Sequence, residues 1–175
     1  GKQTEDWNGV DVNMNVRLAD VFFQGGFSTG KTSRNRCDQW DSLPELQIGG
    51  GAFGTLQPRD YCKETRPYLT SVKMLGSYTL PWYDVQASAT FQSIPGPERS
   101  ATVVYTSAQV EESLGRPLAT TPTVTVDVLP PGTEYGERLY QFDFRITKTF
   151  NIGGNSLRGM FDIYNMFNAN PVLIE

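Results

Sequence analysis

The sequence predicts an all-β chain: an antiparallel, up-and-down transmembrane β-barrel segment, with short turns on one side and long loops on the other. Three observations predict it. Apolar and polar residues alternate strictly through residues 10–18, and again with one exception through 70–80 and without exception through 85–92. The alternating segments come in pairs joined by turns of a few residues. Two stretches between the pairs, about 30–67 and 93–137, are long and carry Gly and Pro punctuation, and the first lacks any periodicity of its own.

The first hairpin is the clearest. Val10, Val12, Met14, Val16 and Leu18 alternate with Asp11, Asn13, Asn15 and Arg17. Ala19-Asp20 makes the turn, after which Val21, Phe23 and Phe27 share one face, with Gln24 and Ser28 on the other. In water such an apolar face needs a second layer of similar character, and the rest of the chain offers little to cover it. A barrel wall that is apolar towards lipid and polar towards a lumen needs no cover.

Alternation resumes at Thr70. Val72, Met74, Gly76, Tyr78 and Leu80 oppose Ser71, Lys73, Ser77 and Thr79, with Leu75 the exception. Pro81-Trp82-Tyr83-Asp84 forms a turn whose aromatics suit an interfacial girdle. Val85, Ala87, Ala89 and Phe91 then oppose Gln86, Ser88, Thr90 and Gln92. In the third hairpin Tyr140, Phe142, Phe144 and Ile146 oppose Gln141, Asp143, Arg145, Thr147 and Thr149. Residues 151–155 supply its turn, and Leu157, Phe161 and Ile163 continue the apolar row against Arg158, Asp162 and Tyr164. Within the second long stretch, Ala101 to Tyr105 and Thr123 to Leu129 are β-prone islands, read as strand extensions beyond the membrane, and Gln109 to Leu114 suits a short helical turn. Asn168-Ala169-Asn170-Pro171 reads as a loop.

Composition narrows the function classes. Apolar residues are 38%, low for a dry core and ordinary for a barrel with a hydrophilic interior. With 15 Lys and Arg against 19 Asp and Glu, the net charge of -4 argues against nucleic acid as a partner. No apolar run reaches helix-spanning length, whereas barrel strands need only about 9–11 residues. Gly1 to Asp6 is polar and shows no signal peptide; the chain begins mid-pattern, as though cut from something longer.

Little points to reaction chemistry. The chain has no histidine, which removes the commonest general base and transition-metal ligand. Its two cysteines lack Cys-x-x-Cys spacing, and the expectation is a disulfide, Cys37 to Cys62, stapling an exposed loop. Gly49-Gly50-Gly51 lacks the following Lys-Ser or Lys-Thr of a phosphate loop. Asp38, Asp41 and Glu45 cluster in the first long stretch, where a solvated acidic loop is the plain reading and Ca²⁺ ligation the sharper one. Asp11, Arg17, Lys73, Asp143, Arg145, Arg158 and Asp162 fall on the polar face. There they read as lumen-facing polar residues that pair across strands or meet a plug or passing ligand. No catalytic site, cofactor or metal is expected, and no enzyme.

Three runs carry a resemblance: WNGVDVNMNVRL with FFQGGFSTGKT; YCKETRPYLTSVKMLGSYTLPWYDVQASATFQSIPGP; and GERLYQFDFRITKTFNIGG with LRGMFDIYNMFNANPVL. Together they resemble the TonB-dependent receptor family, most closely its subgroup with an N-terminal carboxypeptidase-regulatory-like domain. The resemblance covers nearly the whole chain, and DIYNMFNANPV and QSIPGP are its most specific parts. It implies an outer-membrane barrel of about 22 strands filled by a plug, and energised uptake of a scarce small ligand. The implied partners are outer-membrane lipid, the remaining barrel and plug, and the TonB complex through segments outside these residues. The chain shows no plug, no TonB box and no terminal strand ending in an aromatic residue, so it is expected to be the C-terminal part of the barrel of a longer receptor. The alternative is a self-associating structural sheet that forms a fibre or multi-chain barrel through its open edges. A secreted soluble sandwich would require protein to bury both apolar rows.

Overall fold

The computed structural model describes residues 1–43, 55–119 and 121–172. Six long strands form one antiparallel sheet in chain order, as the alternation predicts. They are β1 (Thr4–Arg17), β2 (Val21–Asn35), β5 (Leu69–Leu80), β6 (Val85–Ile94), β9 (Leu139–Ile152) and β10 (Asn155–Ile163). A short strand, β4 (Lys63–Thr65), pairs with the end of β2, Ser33 opposite Thr65. The outer edges of β1 and β10 carry no strand among the described residues, so the sheet is open rather than a closed barrel. No helix among the described residues is long and apolar enough to cross a membrane, which says nothing of strands.

The hairpin turns follow their chemistry. Leu18 N donates to Val21 O across Ala19-Asp20 at 2.9 Å. Gly153 and Gly154 have φ of +55° and +84°, the pair of left-handed residues that a two-residue type I′ turn requires. At Asp84, φ is +48°, and its carbonyl accepts from Thr149 N at 3.0 Å, tying the Pro81 turn to β9.

Chain contacts divide the described molecule into two compact units. One holds Gly9–Gly30, Tyr68–Pro97 and Gly136–Glu175, and so most of the long strands. The other holds Gly1–Asn8, Lys31–Pro67 and Glu98–Tyr135. In this second unit the β-prone islands are β7 (Thr102–Thr106) and β8 (Thr123–Asp127). They pair with each other antiparallel, and β8 pairs parallel with β3 (Thr55–Leu56). This corrects the reading of the islands as strand extensions: they find partners in each other and make a separate three-stranded sheet. The helical turn expected near Gln109 is α2 (Ser107–Leu114). Thr106 and Gln109 form a reciprocal capping box at its start, and Gly115 closes it with φ +67°.

The second unit contains the two buried hydrophobic residues among those described, Trp40 and Cys62. Trp40 lies on α1 (Cys37–Ser42), and Cys62 ends a 3-10 turn, Arg59–Cys62. The expected disulfide joins Cys37 to Cys62 with 4.9 Å between Cα atoms. Closing a loop of 25 residues stabilises by about 3 kcal/mol in the chain-entropy model. Beside it Arg36 forms an ion pair with Glu64, whose side chain is 7% exposed, and its guanidinium lies 4.9 Å from the centre of the Trp40 ring.

Arg59 grips Asp41 with both prongs, at 2.7 Å each, and thereby ties the 3-10 turn to α1. The hydrogen bonds from Arg59 hold the Asp41 carboxyl below its ordinary value and raise the Arg59 guanidinium. A depressed carboxylate stabilises the fold above its unfolded value, and that contribution is lost as pH falls through the folded value. Titration of Asp41 followed by carboxyl-carbon NMR is expected to show a midpoint below the ordinary aspartate range, and Arg59→Gln is expected to return it to that range. Asp41 is thus engaged by Arg59, which leaves the Ca²⁺ reading without one of its three carboxylates; Glu45 and residues 49–51 lie outside those described.

Candidate functional site: the two faces of the long sheet

The register carries one side-chain parity through the whole sheet, so the alternation of each strand adds up to two continuous faces. In one row Phe27 stands opposite Val72; in another Met74 meets Phe91, which in turn meets Phe142. Ala89 meets Phe144, and Phe144 meets Ile163. This is the apolar face, and no second layer covers it among the described residues. Val12, Met14, Met74, Ile146 and Phe161 are exposed by 40–63%. An uncovered apolar patch of this extent on a monomer in water marks an interaction surface.

The opposite face carries every residue singled out for a lumen. Lys73 stands between Gly26 and Gln92; Arg145 stands between Ser88 and Asp162; Arg158 stands opposite Thr149. Asp11 and Arg17 share the corresponding parity on β1. The structure brings some of them together and leaves others apart. Arg145 and Asp162 form a two-pronged ion pair, its longer contact 3.2 Å. Arg17 lies over Phe22, 5.5 Å from the ring centre, in place of an acidic partner.

Asp143 is the hub of a polar network. It accepts from Gln141 Nε2 at 3.1 Å, from the Asn165 backbone N at 2.8 Å and from Thr90 Oγ1 at 3.5 Å. Gln92 Nε2 extends the chain by donating to Gln141 Oε1 at 2.8 Å. Asn165, in the segment after β10, binds Ala169 in both directions, and Met166 N donates to Phe142 O at 2.8 Å. The strand therefore ends in a loop pinned back onto β9.

Depressions lie on this sheet. A larger one, about 660 Å³, is lined on β1, β2 and β5 by residues that include Asp11, Asn13, Asn15, Gln24, Ser28 and Lys73. A smaller one, about 230 Å³, is lined by Thr90, Asp143, Arg145 and Asp162 among others. A close approach of strands shapes the larger one: a Cβ at Gly26 would lie 2.5 Å from both the Asn13 side chain and the Val12 carbonyl. The polar groups offered are carboxamides, hydroxyls and roughly balanced charges, beside apolar lining from Phe27, Met74, Leu75 and Phe144. The polar groups suit hydrogen bonding to water or to a polar, weakly charged molecule.

Sequence reasoning passed over Gln92, Gln141, Asn165 and Lys148. Gln92 and Gln141 act through a cross-strand pairing, and Asn165 through a loop folded back onto β9, neither of which a local pattern reveals. Lys148 carried a signal, because it falls on the even parity of Phe144, Ile146 and Phe150. The chain matches no protein-family model, no curated protein and no solved structure.

Proposed function

We propose that the long sheet is a section of the wall of an outer-membrane β-barrel of the TonB-dependent receptor kind. Its apolar face meets lipid, its polar face lines a lumen, and the complete barrel serves energised uptake of a small ligand. The observation that carries the reading is the uncovered apolar face held in one register across six strands. A soluble sheet with such a face lacks the layer it needs, whereas bilayer lipid supplies one. The Pro81 turn adds to the reading: Trp82 is 81% and Tyr83 63% exposed, at the end of the sheet where the short turns gather.

Six strands fall short of the about eight needed for the smallest single-chain barrels, so further strands are required. They come from more of the same chain or from other copies. The open edges of β1 and β10 favour the second reading, a self-associating sheet, as much as they favour the first. Intact mass of the native protein after detergent extraction of membranes separates the two. A mass several times 19.5 kDa for a single covalent chain is the expected result and supports the receptor. A mass of 19.5 kDa with higher-order assembly supports association of copies. Recovery in the aqueous fraction without detergent overturns the receptor and the multi-chain barrel and leaves the fibre.

A further inference from the structure

Lys148 interrupts the apolar face. The register places it between Val85 and Gly159, and its neighbours along β9 on the same face are Ile146 and Phe150. Within Gly9–Gly30, Leu69–Leu80, Val85–Ile94, Leu139–Ile152 and Asn155–Ile163 no other charged residue has that parity. Two further pairs on its face, Phe150 with Leu157 and Ile152 with Asn155, separate it from the Gly153 turn, and it lies beside the turn that carries Trp82 and Tyr83.

We propose that Lys148 and the Trp82-Tyr83 turn bind the phosphate of a phospholipid headgroup. This inference rests on the membrane reading above and adds a ligand to it. A lysine in the middle of a lipid-facing wall is costly, but at the rim its ammonium reaches the headgroup level while its stem stays on apolar surface. Lys148 is built that way: its Nζ donates to the Tyr83 carbonyl and lies 5.7 Å from the centre of the Phe150 ring.

An ammonium has three N–H donors and the carbonyl uses one. Gly159, opposite on β10, has no side chain to cover the rest; a Cβ there would have only Phe150 within 4 Å. Trp82 and Tyr83 supply amphipathic rings of the kind that settle at headgroup depth. A phosphate ester meeting a lysine between such rings gains a charge-assisted hydrogen bond in a partly water-excluded place. The ligand is a lipid rather than free phosphate because the next apolar row towards the middle of the sheet, Ala87, Ile146 and Phe161, offers a surface for acyl chains.

The test is native mass spectrometry of the detergent-extracted protein titrated with phosphatidylglycerol. Lys148→Gln is expected to lower the occupancy of the tightest-bound lipid about tenfold, Lys148→Arg to keep it, and Lys63→Gln, on β4, to leave it unchanged. Equal occupancy in Lys148→Gln and the parent overturns the site while leaving the membrane reading intact, as does an equal loss in Lys63→Gln. If inorganic phosphate displaces the lipid at equal concentration, the acyl-chain part of the site is overturned. A protein that needs no detergent overturns the membrane reading, and the site falls with it.

Discussion

Met74→Arg is expected to destabilise the sheet by about 2–4 kcal/mol in a bilayer, the cost of a cationic side chain on a lipid-facing strand near mid-depth. Met74 lies midway along β5, on the apolar face, between Gly25 and Phe91. Its neighbour across the sheet on the other face, Gln24, is the control: Gln24→Arg puts the same charge on the polar side and is expected to change stability by less than about 0.5 kcal/mol. Refolding into lipid vesicles from urea gives both numbers. The depth profile separates lipid from a protein cover. Arginine at Val72, Met74, Tyr78 and Leu80 in turn should cost most in the middle and fall to about 0–1 kcal/mol at the ends. A face covered by another protein layer would instead charge each position according to its own packing. A face in water would give about 0.5 kcal/mol or less throughout, since Met74 is already 42% exposed.

The long sheet was legible because its signals are local. A period of two over eight or more residues fixes which side chains share a face, and Ala19-Asp20 and Gly153-Gly154 fix the partners at once. The disulfide was legible from two cysteines in one stretch. The small sheet was not, because β3 is two residues long and its parallel partner lies far along the chain; Gln57 and Asp127, which bond beside it, are 70 residues apart. The hydrogen-bond chain from Gln92 to Asp143 was hidden for the same reason, since it exists only once β6 and β9 pair across the second long stretch. Asp41 shows the opposite failure. Proximity in sequence grouped it with Asp38, whereas its partner, Arg59, arrives through the Cys37–Cys62 staple.

That staple sets the terms for the second large effect. Glu64→Ala is expected to destabilise the disulfide-bearing unit by about 3–5 kcal/mol, because it leaves a buried guanidinium without its counter-charge. The Arg36 side chain is 18% exposed and that of Glu64 7%, and Arg36 Nε already lacks a partner in the structure. The remaining acceptor within reach is Gln57 Oε1 at 3.5 Å, too long to replace a carboxylate. Arg36 also forms the lid of Trp40, so its displacement opens the one fully buried large side chain described. Trp40 emission in a Trp7→Phe, Trp82→Phe background, followed through urea, is the readout, and Glu64→Ala should move its midpoint far below that of the parent. The double change Arg36→Met with Glu64→Leu distinguishes a lost ion pair from lost shape. Replacing both charges by apolar groups of similar size removes the desolvation penalty together with the attraction, so the double variant should lie within about 1 kcal/mol of the parent. If it is as unstable as Glu64→Ala, the pair holds α1 and β4 through its geometry rather than its charge, and the disulfide alone cannot keep Trp40 buried.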